Sequence, residues 1–258
     1  MVNEGHIELF VGKDKIMERD YIYEINNELS DLNQNNILKP YGYQKLFGQV
    51  VDWHLNKINL KMDMTMKYNL AWAFVSLAIE IIKPVEGITK MYAQTWHSQR
   101  KGPFFRREFV FKNENGEILF RGASFSILLD TDKRTIYRKK ELPFVAPELD
   151  EDFTIEASPT ININSEFKKV DERKVYNSYI DCLGHVNNIR YGEFAYDAFS
   201  EAECINLCNL KRMDLYFRSE LKNNDMLSIL KVYENSNIMI QGYNNTKSNI
   251  SFDIIFKF

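Results

Sequence analysis

Asp181-Cys-Leu-Gly-His185-Val-Asn-Asn188 places a carboxylate and an imidazole four residues apart, in a polar glycine-containing turn that leads into a helix-like run, Ile189 to Ile205. A carboxylate beside a histidine can orient the loop, or fix the ring tautomer by accepting from one ring nitrogen. Backbone N–H groups around His185 and Val186, near the start of a helix, are suited to holding an oxyanion. Cys182 adjoins Asp181, but neighbours on an extended turn point apart, so a thiol nucleophile is not expected. Asn188 is expected to cap the helix. The chain has four histidines. His54, beside Trp53, and His97, beside Trp96, read as packing or rim residues, and His6 falls in an end segment. Cys204 and Cys208 are spaced like half a metal site, but no second pair stands at ligand spacing, so no metal is expected.

The elements that must position this turn can be read from periodicity. Tyr43, Leu46, Phe47, Val50, Leu55 and Ile58 recur at helical spacing and predict a helix over 42–60. A short strand is expected over 21–25 and four more over 69–82, 88–97, 104–113 and 117–130. Asn115-Gly116 predicts a two-residue type I′ hairpin between the last two. Pro143, Pro147 and Pro159 frame an acidic run that breaks the pattern over 139–160. Beyond it the order repeats: a strand near 162–170, the Asp181 loop, a helix over 188–205, then strands near 211–220, 226–234, 237–244 and 249–257. The expected class is therefore α+β, with two units over 1–138 and 161–258, each a sheet wrapped around a long helix, joined by a linker over 139–160. Ile37 to Gly42, ahead of the first helix, contains no Asp or His, so one reactive loop per chain is expected.

Composition narrows the function classes. At 45% hydrophobic and 14% aromatic over 258 residues, the chain can bury one large core or two modest ones. Its longest apolar stretch, Leu70 to Ile82, is too short to cross a bilayer. No apolar leader follows Met1, so neither export nor organelle import is expected. Three cysteines argue against a disulfide framework and for a reducing, cytoplasmic address. The net charge of −3 conceals basic clusters, among them Arg100-Lys101, Arg106-Arg107 and Arg138-Lys139-Lys140. Such clusters can steer an acidic partner, whereas nucleic acid would call for a larger basic excess.

With this order of elements, the Asp181 loop resembles that of the acyl-acyl carrier protein (acyl-ACP) thioesterases, a double-hotdog family of bacteria and plant plastids. That family's loop reads Asp-x-Asn-x-His-Val-Asn-Asn before an aromatic-rich helix, and Asp181, His185, Val186, Asn187, Asn188 and Tyr191 match it. Thr95-Trp96, Glu114-Asn115-Gly116-Glu117, Ala123-Ser124-Phe125 and Phe217-Arg218-Ser219-Glu220 resemble the family elsewhere. The resemblance implies a tandem hotdog fold and hydrolysis of fatty acyl-ACP without a cofactor. It implies an acyl pocket in the first unit, acyl carrier protein as partner, and catalytic roles for Asp181, His185 and Glu220. Glu220 would then be the base that activates water, provided that it is buried. Leu183 departs from the pattern: leucine can only pack where the family's carboxamide both donates and accepts. An acyl-CoA thioesterase of the same fold, or a non-catalytic acyl-binding protein, stays open, as does a homodimer. Phe47, Met62, Met64, Met66 and Trp72 read as core packing rather than a gauge of chain length.

Overall fold

The structure, a computed structural model, describes residues 17–258; His6 and the start of the first expected unit lie outside them. In chain order the strands and helices are β1 (Tyr23–Asn26), α1 (Pro40–Lys57), α2 (Met62–Met66), β2 (Leu70–Ile81), β3 (Lys90–Lys101), β4 (Phe104–Lys112), β5 (Ile118–Asp130) and β6 (Thr135–Ile136). There follow β7 (Lys168–Lys174), α3 (Asn188–Tyr196), α4 (Glu201–Ile205), β8 (Arg212–Phe217), β9 (Met226–Glu234), β10 (Asn237–Asn244) and β11 (Asn249–Lys257). All eleven strands of the described residues join one antiparallel sheet in the order β1-β3-β4-β5-β2-β8-β11-β10-β9-β7, with β6 on β5. The halves meet where β2 pairs with β8, Leu77 opposite Leu215 and Ile79 opposite Met213. Each half wraps a helix, which is the tandem hotdog architecture.

Pro40 starts α1 with a φ suited to the first helical turn, and Tyr43, Leu46, Phe47, Val50, Val51 and His54 form its buried stripe. The rings of Phe47 and Phe109 pack at 4.4 Å and those of Tyr43 and Phe120 at 4.9 Å, fixing α1 on the sheet. In the second half Tyr191 and Phe194 do the same from α3 against Phe217, Phe252 and Tyr179. Gly192 lets the two helices approach, since a Cβ there would lie 2.8 Å from Gln44 Oε1. Gln44 Nε2 also donates to the Asn188 carbonyl at 2.9 Å, tying α1 to the beginning of α3.

Three local expectations need correction. The helix expected over 188–205 is broken after Tyr196, because Ser200-Glu-Ala-Glu203 forms a capping box that starts α4 afresh. The β4–β5 turn is not type I′: only Gly116 has positive φ, at 78°, and Gly116 N–H donates to the Asn113 carbonyl. Asn113 Oδ1 accepts from the N–H groups of Asn115 and Glu117, stabilising this longer turn. The strand expected near 162–170 begins only at Lys168.

The strandless segment before it packs on the sheet. Trp96 Nε1 donates to the Asp152 carbonyl, Thr154 Oγ1 to Glu108 Oε2, and Ser76 Oγ to the Ser158 carbonyl. Arg106 donates both to Glu108 and to the Ile155 carbonyl, so this segment helps to satisfy a buried ion pair. No helix among the described residues is long and apolar enough to cross a membrane.

Candidate active site

The Asp181 loop is a pinched turn closed by the Ile180–Val186 bridge. Asp181 N–H donates to the His185 carbonyl at 2.9 Å and Gly184 N–H to the Asp181 carbonyl at 3.1 Å. Gly184 adopts φ +81°, which glycine takes without steric cost. Asp181 Oδ1 accepts from Leu183 N–H at 2.8 Å, and Oδ2 lies 3.5 Å from His185 Nδ1. One carboxylate thus shapes the turn and faces the imidazole.

The first unit contains the same turn without its chemistry. Leu32 and Leu38 form the matching bridge, Asn33 N–H donates to the Ile37 carbonyl, and Asn36 N–H donates to the Asn33 carbonyl at φ +63°. Asn33 therefore stands where Asp181 does and Ile37 where His185 does. The copies differ in one backbone donor. Asn33 Oδ1 caps the N–H of Ile37 at 3.0 Å, whereas the His185 N–H has no protein partner among the described residues.

Glu220 arrives from the segment after β8 and brings Oε1 to 4.0 Å from His185 Nε2. The imidazole is therefore flanked by a carboxylate on each side. Arg218 is held by Asp253 at 2.9 Å, Ser219 Oγ donates to the Ile250 carbonyl, and Leu221 N–H donates to Tyr191 Oη at 3.2 Å. Lys247 Nζ binds the Glu220 carbonyl at 3.1 Å. These contacts hold the backbone and leave the Glu220 side chain 58% exposed, so the protein alone does not provide the burial expected of a base.

Two backbone assignments change. Val186 N–H is not a free oxyanion donor, because it donates to the Leu221 carbonyl at 2.9 Å. The cap of α3 is Asn187, whose Oδ1 accepts from Ile189 N–H; Asn188 is the first helical residue. Cys182 is exposed and, among the described residues, has no hydrogen bond to His185 or Asp181.

A cavity of about 440 Å³ opens beside the loop, with Leu183 and Asn188 in its wall. The rest comes from the first unit: Val51, Asp52 and Leu55 of α1, and Trp72, Phe74 and Phe105 on the facing strands. Met62 is thus an exposed cavity residue rather than core packing, whereas Trp72 lines the cavity and also packs on Leu70, Phe105 and Leu128 as expected; Leu183, in the same wall, is 49% exposed. None of Asp181, His185 and Glu220 lines this cavity or a larger cleft of about 840 Å³ under Leu142 to Glu148; Asp181 lines a separate cleft of about 490 Å³ together with Tyr179, Asn187 and Arg190.

The sequence matches the family models for the acyl-ACP thioesterase N-terminal domain over residues 17–142 and C-terminal domain over 164–255. The chain belongs to the acyl-ACP thioesterase family. Among solved structures, an acyl-ACP thioesterase from Bacteroides thetaiotaomicron is similar at 21% identity and a TM-score of 0.81, over 92% of this chain and 96% of that one. The 12:0-ACP thioesterase from Umbellularia californica is similar at 14% identity and a TM-score of 0.74, over 92% and 96%. A search of curated proteins returned no match. Membership makes the chain a hotdog thioesterase acting on an acyl thioester.

This member of the family also buries a polar network that its sequence did not reveal. Glu18 Oε2 accepts from His97 N–H at 2.9 Å and lies 2.9 Å from His97 Nδ1 and 3.3 Å from His54 Nε2. Arg107 lies 2.8 Å from His97 Nε2, and Tyr23 Oη 3.1 Å from His54 Nδ1. Burial and the Arg107 charge push His97 down to about 4, and burial pulls Arg107 down to about 10, where it keeps its proton near neutrality. Burial alone would raise Glu18, but hydrogen bonds from His54 and His97 and the Arg107 charge carry it well below the usual carboxylate range. The pairing of His97 with Arg107 across β3 and β4 could have been found only from strand register. Arg106 and Arg107 are consequently interior residues on opposite faces of β4, not a surface for an acidic partner.

Proposed function

We propose that this protein hydrolyses the thioester linking a fatty acyl chain to acyl carrier protein, releasing the free acid and the carrier thiol. The observation that carries the reading is the imidazole set between Asp181 and Glu220, on a loop whose Leu183 forms part of a cavity wall together with Asn188. The gap between His185 Nε2 and Glu220 is too long for a good direct hydrogen bond and suits a water bound to both. Glu220 takes a proton as that water attacks the thioester carbon. Its exposed carboxylate is desolvated when the acyl group and carrier cover it. The uncapped His185 N–H and the N-terminus of α3 stabilise the oxyanion. Asp181 orients the turn and the imidazole. When the tetrahedral intermediate collapses, the C–S bond breaks and the proton passes to the leaving thiolate.

The carrier protein is favoured by a basic cluster at the cavity end of the first unit. Arg100 stands opposite Phe105 in the ladder, its guanidinium lies over that ring at 4.8 Å, and it donates to the carbonyls of Lys139 and Lys140. Those exposed lysines therefore sit beside a cavity wall residue. The test is turnover of a ladder of acyl-ACP and acyl-CoA substrates by the protein and by a Lys139→Glu/Lys140→Glu variant. Faster turnover of acyl-ACP is expected, with kcat/KM on that carrier falling by about tenfold in the variant and the loss shrinking at high salt. Equal loss on both carriers would remove the cluster from carrier recognition. Acyl binding without thiol release would show a protein that binds acyl chains but does not cleave them.

A further inference from the structure

The segment that presents Glu220 is gripped at a single peptide group. The Glu220 carbonyl accepts from Lys247 Nζ at 3.1 Å, and the N–H of the same peptide, that of Leu221, donates to Tyr191 Oη at 3.2 Å. Because a peptide is planar, holding both of its polar ends fixes the rotation about the Glu220 Cα–C bond. The next carbonyl, that of Leu221, accepts from Val186 N–H at 2.9 Å, so this stretch also seats the residue that follows His185. Among the described residues the Glu220 carboxylate makes no hydrogen bond, and its direction therefore depends on its backbone. Of the two groups that hold the peptide, Tyr191 is buried on α3 and fixed by packing. Lys247 comes from the exposed turn between β10 and β11, and a lysine stem is flexible unless its ammonium is anchored.

The anchor is Asp225, just ahead of β9, whose side chain is 8% exposed. Its Oδ2 accepts from Lys222 N–H at 2.9 Å and from Asn244 Nδ2 at 2.8 Å, and lies 3.1 Å from Lys247 Nζ. Burial alone would raise the Asp225 carboxyl, but these three donors carry it below its ordinary value. Asn244 is fully buried, and its Oδ1 accepts from the N–H groups of Thr246 and Lys247, which fixes where the lysine leaves the backbone. The two turns are joined again by Met226 N–H donating to Thr246 Oγ1 and Asn245 N–H to the Met226 carbonyl. One buried carboxylate thus directs a cation onto the main chain of the base. We propose that Lys247 is a positioning residue for thioester hydrolysis, held by Asp225 and acting through the Glu220 peptide. A catalytic group misplaced by about 1 Å can lose about 10²-fold in rate, so such a grip has a measurable consequence. The effect on rate rests on the role proposed for Glu220, whereas the grip itself can be measured without turnover.

Lys247→Met and Lys247→Arg are compared with the unmodified full chain in two arms. Amide hydrogen exchange reads the grip. In Lys247→Met the Leu221 and Val186 amides should exchange about tenfold faster, while central strand amides such as those of Leu215 and Ile254 keep their rates. Lys247→Arg should restore the protection. Unchanged exchange at Leu221 and Val186 overturns the proposal, and so does faster exchange throughout the sheet, which would show a general loss of stability instead. Turnover of acyl-ACP reads the consequence. Lys247→Met should lower kcat about tenfold at unchanged KM, and Lys247→Arg should recover most of that loss. In a Glu220→Gln background Lys247→Met should cost nothing further, because the residue acts only through the base. An equal loss in that background, or a change confined to KM, takes Lys247 out of the positioning of Glu220. Local exchange changes in a chain that hydrolyses no acyl-ACP keep the grip and remove the proposed reaction.

Discussion

Glu220→Gln is expected to lower kcat for acyl-ACP hydrolysis by about 10²–10⁴-fold, the usual contribution of a positioned base. That corresponds to about 3–5 kcal/mol of transition-state stabilisation. The substitution is informative because the Glu220 carboxylate bears no structural load. It is 58% exposed and makes no hydrogen bond of its own among the described residues, and the contacts that hold the segment run through the Glu220 carbonyl, Arg218, Ser219 and Leu221 N–H. Thermal denaturation and binding of the product acid should therefore be unchanged while thiol release nearly stops. Asp181→Ala would be a poorer test, since it removes the cap on Leu183 N–H and unlatches the turn together with any effect on His185. Full turnover by Glu220→Gln would take the base out of the proposed mechanism and pass water activation to His185.

The contrast between Asp181 and Glu220 shows which parts of the site the sequence can carry. Asp181, Gly184 and His185 are local: the turn that joins them is closed by hydrogen bonds within five residues, so spacing and residue type reveal it. Glu220 is brought back by the pairing of β8 with β2 and β11, and no periodicity near residue 220 marks it; family resemblance supplied it. The fold was legible for the same reason as the turn. Alternation such as that of β10, and the apolar stripe of α1, are short-range patterns that tertiary packing preserves. The break in the second helix was equally written in Ser200-Glu-Ala-Glu203, but an apolar stripe running through it masked the signal. Arg106-Arg107 shows the reverse failure. Adjacent arginines read as a surface charge cluster, yet strand geometry sends them to opposite faces, one to Glu108 and the other to His97.

Acid is expected to destabilise this protein well above the pH at which carboxylates ordinarily titrate. His97 is pushed to about 4 in the folded state by burial and by the Arg107 charge, while in the unfolded chain a histidine titrates near about 6.5. Between those values the unfolded chain binds a proton that the folded one does not, so stability falls as pH falls. The His54 shift is also downward, from burial first, and acts in the same sense. Glu18, held low by its two histidines and Arg107 against the effect of its burial, contributes stability that is present at neutrality and is lost at still lower pH. His97 alone is worth about 3 kcal/mol over this window. Denaturant titrations at about pH 7.5 and about pH 5 should show a loss of a few kcal/mol, most of it developing below about pH 6.5. His97→Gln should lower stability at neutrality, since Arg107 and Glu18 lose a shared partner, and should flatten the pH dependence. An unchanged slope in that variant would place the acid sensitivity elsewhere. Because His97 and Arg107 also form part of the cavity wall, protonation should weaken acyl binding over the same range, before the sheet as a whole unfolds.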